Sequence, residues 1–189
     1  MAERGISIRP AKINDAELIA RVVAFAIGDA ETLQSYCGEN YLCVLTEVAA
    51  QEETLYSWCH TLIAEVDGSV AGAIIGYDGA LLKELHRKTL AVINELTGLT
   101  PTLPNETEAG EYYLDSVAVL PEFRNIGVGR VLIEALCCRA KSEGHSRFGL
   151  IVDHDNPAAE RLYINLGFTR VGVREFFGHQ MWHLQRKVK

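Results

Sequence analysis

Hydrophobic and polar positions follow two different periods along this chain. Residues 5–9 alternate in the manner of a strand, and residues 16–27 place apolar side chains at helical spacing after the Asn14-Asp15 pair. Residues 28–59 show no clear period, and we expect short helices there. The pattern therefore predicts a strand, a helix and then a segment of short helices.

The clearest local signal is a pair of strands joined by a tight turn. Residues 62–66 and 70–77 are apolar and flank Asp67-Gly68, a dipeptide typical of two-residue hairpin turns. Helical spacing then predicts a helix of about 16 residues that Gly98 ends, and a polar loop follows up to residue 110.

Strands and helices are interleaved in the second half of the chain. We expect strands at 112–119, 148–152, 168–173 and 180–184, and helices at 127–142 and 157–166. Hairpins at both ends of this order indicate an α/β (α+β) fold with a mixed sheet rather than a purely parallel one.

Composition limits the classes of protein that the chain can represent. It has 189 residues, of which 48% are hydrophobic and 23% charged, and a formal net charge of -7. At roughly 100 to 200 residues per domain, we expect a single domain over residues 1–189. The acidic excess argues against nucleic-acid and anionic-membrane partners, whose binding faces are usually basic.

Cysteine and histidine usage points to a reducing compartment without a metal site. The five cysteines are an odd number and form no C-x-x-C pair, and the six histidines form no HxH pair. The start, Met-Ala-Glu-Arg-Gly, lacks the features of a secretion signal, and no apolar run approaches the roughly 20 residues that span a bilayer. We therefore expect a cytoplasmic protein with no bound metal.

A glycine-rich loop between a predicted strand and a predicted helix is the strongest chemical signal. Gly127 and Gly129 would let the backbone approach a ligand, and the helix start would offer unpaired N–H groups at the positive end of its dipole. This combination binds anions, usually phosphate, and Arg124 and Arg130 would add charged contacts. Glycines that only start a helix after a surface turn would show the same pattern.

Two familiar phosphate motifs do not fit this loop. A dinucleotide fingerprint requires a further glycine where Leu132 stands, and a Walker loop requires Gly-Lys-Ser/Thr, which the chain lacks. A nucleotide-phosphate binder is therefore the least favoured interpretation.

Two ordered motifs resemble the GCN5-related N-acetyltransferase (GNAT) family. The first is Arg124-Asn125-Ile126-Gly127-Val128-Gly129 after the apolar strand, and the second is Asn156-Pro157 followed by Leu162-Tyr163 and Leu166-Gly167-Phe168. The resemblance covers residues 112–172 best and residues 28–59 and 78–110 least. It implies one domain with a mixed central sheet, splayed middle strands and flanking helices, plus an extra helix and loop at about 79–110.

The resemblance also implies an acetyl-coenzyme A site. The backbone of Val117, Ala118 and Val119 would pair with the pantetheine arm, and Asn156 would contact the same arm. The Tyr163 hydroxyl would protonate the leaving thiolate. The pyrophosphate would lie on the loop formed by Arg124, Asn125, Ile126, Gly127, Val128, Gly129 and Arg130.

Simpler roles remain open for two of these residues. By periodicity alone Tyr163 is a core aromatic residue, and Asn156 before Pro157 is a good helix N-cap. Capping and cofactor contact can coexist.

Acetyl transfer requires a neutral amine, which makes a base valuable. An amine with a pKa of about 10.4 requires roughly 4 to 5 kcal/mol for deprotonation at pH 7, against about 1 for an α-amino group. The candidate carboxylates are Glu111, Asp115 and Asp153. Asp115 is the first choice, because strand alternation would place it on one face with Tyr113 and Val117.

The identity of the base stays open for two reasons. Some family members carry glutamate where this chain has Tyr113 or Ile151, so a water relay is an alternative. A carboxylate in an apolar strand is costly unless it is used or paired, and Asp115 could have a purely structural role.

The residues assigned to substrate binding are Glu111, Tyr113 and Asp153. Glu106, Glu108 and Glu111 cluster before the central strand, which suggests an electronegative mouth for a cationic amine, although a solvated loop would show the same cluster.

The sequence therefore predicts an N-acetyltransferase that moves an acetyl group from acetyl-CoA to a primary amine of a small molecule or peptide, by direct transfer in a ternary complex. The alternative is a non-catalytic acyl-CoA-binding sensor or interaction module of the same fold. No nucleic acid, membrane or metal is expected as a partner, and a homodimer is left open.

Overall fold

A computed structural model describes residues 5–188 and shows one seven-stranded sheet in the order β1-β2-β3-β4-β5-β7-β6. The predicted features of Met1–Arg4 and Lys189 lie outside the described residues. All neighbouring strands are antiparallel except β4 and β5, which are parallel, so the predicted mixed sheet is confirmed. The strands are β1 (Ile6–Pro10), β2 (Thr61–Val66), β3 (Ser69–Asp78), β4 (Tyr112–Val119), β5 (Arg147–Asp153), β6 (Thr169–Phe176) and β7 (His179–Lys187).

Within the described residues six α-helices flank the sheet, and they include the short helices expected within residues 28–59. They are α1 (Ala16–Ile27), α2 (Ala30–Cys37), α3 (Tyr41–Ala50), α4 (Leu82–Thr97), α5 (Val128–Ser142) and α6 (Pro157–Asn165). Helix α4 has 16 residues and ends at Gly98, which has a φ of 73° and so takes the left-handed conformation that glycine favours at a helix end.

Both faces of the sheet are covered. Helices α1 to α4 form one core with one face, and α5 and α6 form a second core with the other face. The neighbours Ile74 and Ile75 belong to different cores, and both are fully buried, because successive strand residues point to opposite faces. In residues 5–188 no helix is long and apolar enough to cross a membrane.

The predicted hairpin of β2 and β3 is confirmed in detail. Asp67 and Gly68 have φ values of 51° and 81°. A two-residue type I′ turn requires positive φ at both positions, which Asp-Gly satisfies at low cost.

The two central strands separate soon after they meet. Strands β4 and β5 pair only at Tyr112 with Phe148 and at Tyr113 with Gly149, although both strands continue well beyond these residues. One edge of β4 is therefore left without a strand partner over most of its length, which confirms the predicted splay.

A β-bulge interrupts β4 at Asp115. In the pairing with β3, Ser116 lies opposite Ile75 and Leu114 lies opposite Gly76, so Asp115 is the extra residue. The bulge reverses the alternation: Tyr113 belongs to the core of α1 to α4, whereas Val117 packs against the other core. The prediction that Asp115 shares one face with both residues is therefore wrong. Asp115 lies on the Tyr113 side, because its Oδ2 is 3.0 Å from the hydroxyl of Tyr77, a residue of that core.

Candidate active site

A cavity of about 500 Å³ fills the space that the splayed strands leave open. The ends of β4 and β5, the first turn of α5 and helix α6 form its walls, and the end of α1 and the β6–β7 turn complete it. An unpaired strand edge and a helix N-terminus therefore face the same space. A larger depression of about 720 Å³ lies between α5 and the end of β7, and none of the predicted site residues lines it.

Most of the predicted site residues meet in this cavity. Asn125, Ile126, Gly127 and Val128 form the turn that joins two lining residues, Arg124 and Gly129, and Arg130 follows on the exposed side of α5. The predicted residues that line the cavity directly are Asp115, Val117, Ala118, Val119, Arg124, Gly129, Asp153, Asn156 and Tyr163.

The loop before α5 presents backbone amides in the way that an anion requires. Asn125 and Gly127 have φ values of 62° and 94°, which turn the chain sharply into the helix. The first bond within the helix runs from the Val131 amide to the Gly127 carbonyl over 3.1 Å. The amides of residues 128–130 therefore have no partner within the helix and stand at the positive end of its dipole.

Arg124 adds a positive charge beside the open strand. Its Nε donates to the Val119 carbonyl over 3.1 Å, and its guanidinium carbon lies 5.3 Å from the centre of the Phe25 ring. These contacts fix the side chain across the end of β4 and leave its terminal nitrogens to bind an anion.

The outer edge of β4 can accept an extended ligand. Strand β3 occupies only one edge, where it pairs with Val117, Ala118 and Val119. Along the other edge the backbone groups face the cavity, and an arm that carries amide groups can pair with them as an added strand does.

Helix α6 brings a neutral phenol and a capped helix start to the cavity. Tyr163 is 8% exposed, and burial raises its pKa to about 12, so it keeps its proton at neutral pH. Its ring packs edge-on against Phe168 at 5.8 Å between centroids. Asn156 Oδ1 accepts from the Ala159 amide over 3.1 Å, which confirms the predicted cap, and its Nδ2 can donate to another group.

Asp115 has the protonation behaviour of a general base. Burial and the nearby charge of Glu106 raise its pKa to about 7, although hydrogen bonds from Ser116 and Tyr77 act in the opposite direction. Ser116 Oγ donates to Oδ1 over 2.7 Å, and Tyr77 reaches Oδ2. A carboxyl group that titrates near pH 7 can accept and release a proton efficiently under neutral conditions.

Asp153 lies at the rim of the cavity and already has partners. Its Oδ2 is 2.9 Å from Nδ1 of His179, and its Oδ1 accepts from the Asp155 amide over 2.8 Å. These contacts hold a carboxylate on β5 across the cavity from β4.

The cavity does not include Glu111 or Tyr113. Glu111 is 1% exposed, and its carboxylate binds Thr107 and Gln185, each over 2.6 Å, and His183 over 3.0 Å. Burial alone would raise its pKa, but the hydrogen bonds from these partners outweigh burial and leave the pKa lowered. Tyr113 is buried against the Tyr77 ring.

The predicted electronegative mouth is also not formed. Glu106 and Glu111 are buried, and only Glu108 is exposed, where it pairs with Arg174 at 3.2 Å. The three carboxylates therefore bind different partners and do not form one negatively charged surface, although they are close in sequence.

Sequence reasoning missed the aromatic side of the cavity. Phe25 of α1, Phe176 at the end of β6 and Phe177 of the β6–β7 turn line it, together with Asp29 and Thr32. Phe25 is 60% exposed, and Phe177 has a φ of 48°, which is unusual for a bulky residue. Two phenylalanines directly before Gly178 were the available signal, since a hairpin tip normally carries small or polar residues.

The mixed sheet, its central opening and the helix start beside it define an acetyltransferase fold of the GNAT type. The Acetyltransferase (GNAT) family model matches residues 30–168. A crystal structure of an acetyltransferase is 32% identical, covers 97% of this chain and all of its own chain, and superposes with a TM-score of 0.81. An N-acetyltransferase from Staphylococcus aureus Mu50 is 28% identical over 95% of this chain and 100% of its own, also with a TM-score of 0.81. The chain belongs to the GNAT acetyltransferase family.

A curated relative matches over a shorter stretch of the chain. The mycothiol acetyltransferase of Thermobispora bispora is 48% identical over 61 residues, which are 32% of this chain and 20% of that protein. The matching stretch thus spans about a fifth of the relative's length.

Proposed function

We propose that the protein transfers the acetyl group of acetyl-CoA to a primary amine of a small molecule or peptide, within a ternary complex. One observation carries the proposal. A single cavity is lined by the open edge of β4, by Asp115 and by Tyr163, and the loop that presents the α5 amides lies at its wall. Membership of the GNAT family supports acetyl transfer as the reaction.

The residues around the cavity fit acetyl-CoA. The edge of β4 suits the amide-bearing pantetheine arm, and the amides of residues 128–130 together with Arg124 suit the diphosphate. When bound, the cofactor supplies a thioester-activated acetyl group. A sensor without catalysis would need the same binding features but would have no use for a base that titrates near neutrality.

Two side chains on different walls can handle the protons of the reaction. Asp115 on β4 takes a proton from the incoming ammonium group, which frees the nitrogen lone pair. Tyr163 on α6 holds its proton at neutral pH and donates it to the departing sulfur. The starting protonation states fit these roles, because the base must be ionised to accept a proton and the acid must be neutral to donate one.

The lining beyond Asp115 supports a cationic acceptor with an apolar part. Asp29 and Asp153 contribute carboxylates, and Phe25, Phe176 and Phe177 contribute aromatic surface. Aromatic faces and carboxylates together favour protonated amines.

Calorimetry with acetyl-CoA and thiol release with a panel of amines test the proposal directly. We expect binding of acetyl-CoA and turnover with at least one primary amine. Binding without turnover on any amine would support the non-catalytic sensor instead, and no binding at all would remove both.

Replacing Tyr163 by phenylalanine tests the proposed acid. We expect kcat to fall by about 100-fold, in the range of acid–base contributions, while the affinity for acetyl-CoA stays within about twofold. The ring packing against Phe168 is retained, so the fold should be unchanged. The matched control is Tyr56→Phe, a buried tyrosine that does not line the cavity. A variant with native kcat would exclude Tyr163 as the acid.

A further inference from the structure

A line of buried polar side chains leads from Asp115 away from the cavity to helix α4. The Tyr77 hydroxyl lies 3.0 Å from Asp115 Oδ2 and 3.1 Å from Glu106 Oε1. Glu106 Oε2 in turn lies 3.6 Å from Nε2 of His86 on α4. Four titratable side chains therefore follow one another in space. They are Asp115 on β4, Tyr77 on β3, Glu106 in the loop before β4 and His86 on α4.

Packing alone does not explain this line. Glu106 is 4% exposed and His86 is 8% exposed, and Glu106 Oε2 and His86 Nε2 make no hydrogen bond with any residue in the described range. A buried carboxylate oxygen without a hydrogen bond is costly, and a purely structural network normally satisfies its members. The same protein does so at Glu111, where both oxygens are fully engaged.

The single hydroxyl proton of Tyr77 determines what this line of side chains can do. A phenol has one proton, so Tyr77 can donate to only one of its two carboxyl partners and accepts from the other only when that group is protonated. The one proton of Tyr77 thus serves two hydrogen bonds, of 3.0 Å to Asp115 and 3.1 Å to Glu106. Reversing the direction of both bonds moves a proton from one carboxyl group to the other.

The surroundings keep the proton on this line. Tyr36, Tyr56 and Tyr113 are buried nearby, and burial raises the pKa of each well above 10, so all three stay neutral. Glu111 is fully hydrogen-bonded by Thr107, Gln185 and His183, and Arg174 pairs with Glu108. Within residues 5–188 no lysine or arginine forms a salt bridge with Asp115 or Glu106.

We propose that Tyr77, Glu106 and His86 form a proton relay that carries the proton taken by Asp115 from the amine to the surface at α4. The inference rests on the proposed function, because Asp115 must first act as the base. It assigns a role to α4 and the loop that follows it, the part of the chain where the family resemblance is weakest.

Each transfer in the relay is balanced. The ammonium nitrogen gives a proton to Asp115, which passes it to the Tyr77 oxygen while Tyr77 passes its own proton to Glu106. The Glu106 carboxyl group rotates and gives that proton to His86 Nε2, and the imidazole releases a proton from Nδ1 to water. The imidazole is then left with its proton on Nε2 and the Tyr77 proton points to Asp115, so tautomer exchange through water and rotation of the Tyr77 hydroxyl return both residues to their starting states.

Isosteric substitutions test the relay in the whole protein. With an amine of pKa about 10.4, we expect Glu106→Gln and His86→Gln to lower kcat by about tenfold or more at neutral pH, with an unchanged KM for acetyl-CoA. Added imidazole should restore much of the rate of His86→Gln in proportion to its concentration, which loss of a structural contact would not produce. The matched controls are Glu108→Gln, on the same loop but exposed, and His145→Gln, which is outside the line.

Tyr77→Phe provides a third variant, since it removes one oxygen atom and keeps the ring, and it should lose rate as the other two do. Rates within about twofold of native in the folded variants, with no response to imidazole, would overturn the relay while leaving the acetyltransferase proposal intact. If the native protein bound acetyl-CoA but acetylated no amine, the proposed function would fail first and the relay with it.

Discussion

If the protein acts as proposed, we expect the Asp115→Asn variant to acetylate a lysine-like amine at least about 100-fold more slowly than the native protein at pH 7, measured as kcat/KM. A positioned general base contributes about 10²- to 10⁴-fold, and asparagine cannot accept the proton. The loss should be smaller for an acceptor with an α-amino group, whose deprotonation at pH 7 requires only about 1 kcal/mol. Comparing the two amine classes in one assay separates loss of the base from loss of binding.

The pH profile gives the same prediction a second readout. Burial and the charge of Glu106 raise the Asp115 pKa from 3.8 to about 7, so native activity should rise as this group loses its proton near pH 7. The asparagine variant should lack that step and follow only the ionisation of the amine. A variant that keeps both the rate and the step would exclude Asp115 as the base.

The same substitution should stabilise the protein above neutral pH. A carboxyl group whose pKa is raised in the folded state binds its proton more tightly there, so native stability falls as pH increases from about 4 through about 7. A shift of one unit is worth about 1.4 kcal/mol, so a rise from 3.8 to about 7 corresponds to about 4 kcal/mol, and we expect a gain of up to about that size in the free energy of unfolding at pH 8. Urea unfolding at pH 5 and pH 8 measures it, with the exposed turn variant Asp67→Asn as control.

The features that were predictable from the sequence are local ones. The Asp67-Gly68 turn, the cap at Asn156 and the entry of α5 at Gly127 each depend on a few adjacent residues with a marked backbone or capping preference. The GNAT motifs lie in the same category, because a strand, a loop and a helix start are continuous in sequence. Gly129 at the start of α5 and Tyr163 of α6, which line the cavity, are therefore among the residues that the sequence predicts.

The errors arise where distant segments meet. The bulge at Asp115 depends on the register with Gly76, and nothing within β4 marks it, so strict alternation gave the wrong face for Val117. Phe177 reaches the cavity from the last hairpin, and Glu106 is buried although its loop is polar. In each case tertiary pairing decides the environment, and a single sequence does not encode that pairing in any short window.

Replacing Gly149 by alanine should destabilise the protein by about 3 kcal/mol or more. A Cβ atom at this position would overlap Glu111 Oε2 and lie 2.5 Å from Glu111 Cδ. The carboxylate cannot move aside without losing its hydrogen bonds to Thr107, Gln185 and His183, and each buried group left without a partner costs about 1 to 3 kcal/mol, more for a charged group. Urea unfolding at pH 7 measures the loss, and Gly172→Ala on β6 is the control, since a Cβ there meets nothing within 4 Å.

The position of Gly149 connects this stability effect to the active site. Gly149 forms the last pair between β4 and β5 before the strands separate, and the Glu111 network joins the start of β4 to β7 directly beside Gly149, at the root of the opening. The Gly149→Ala variant should therefore also bind acetyl-CoA more weakly, although neither Gly149 nor Glu111 lines the cavity. In a double-mutant cycle with Glu111→Ala, the cost of Gly149→Ala should shrink by about half or more, because the overlapping carboxylate is gone. Additive costs in that cycle would show that Glu111 does not set the requirement for glycine at this position.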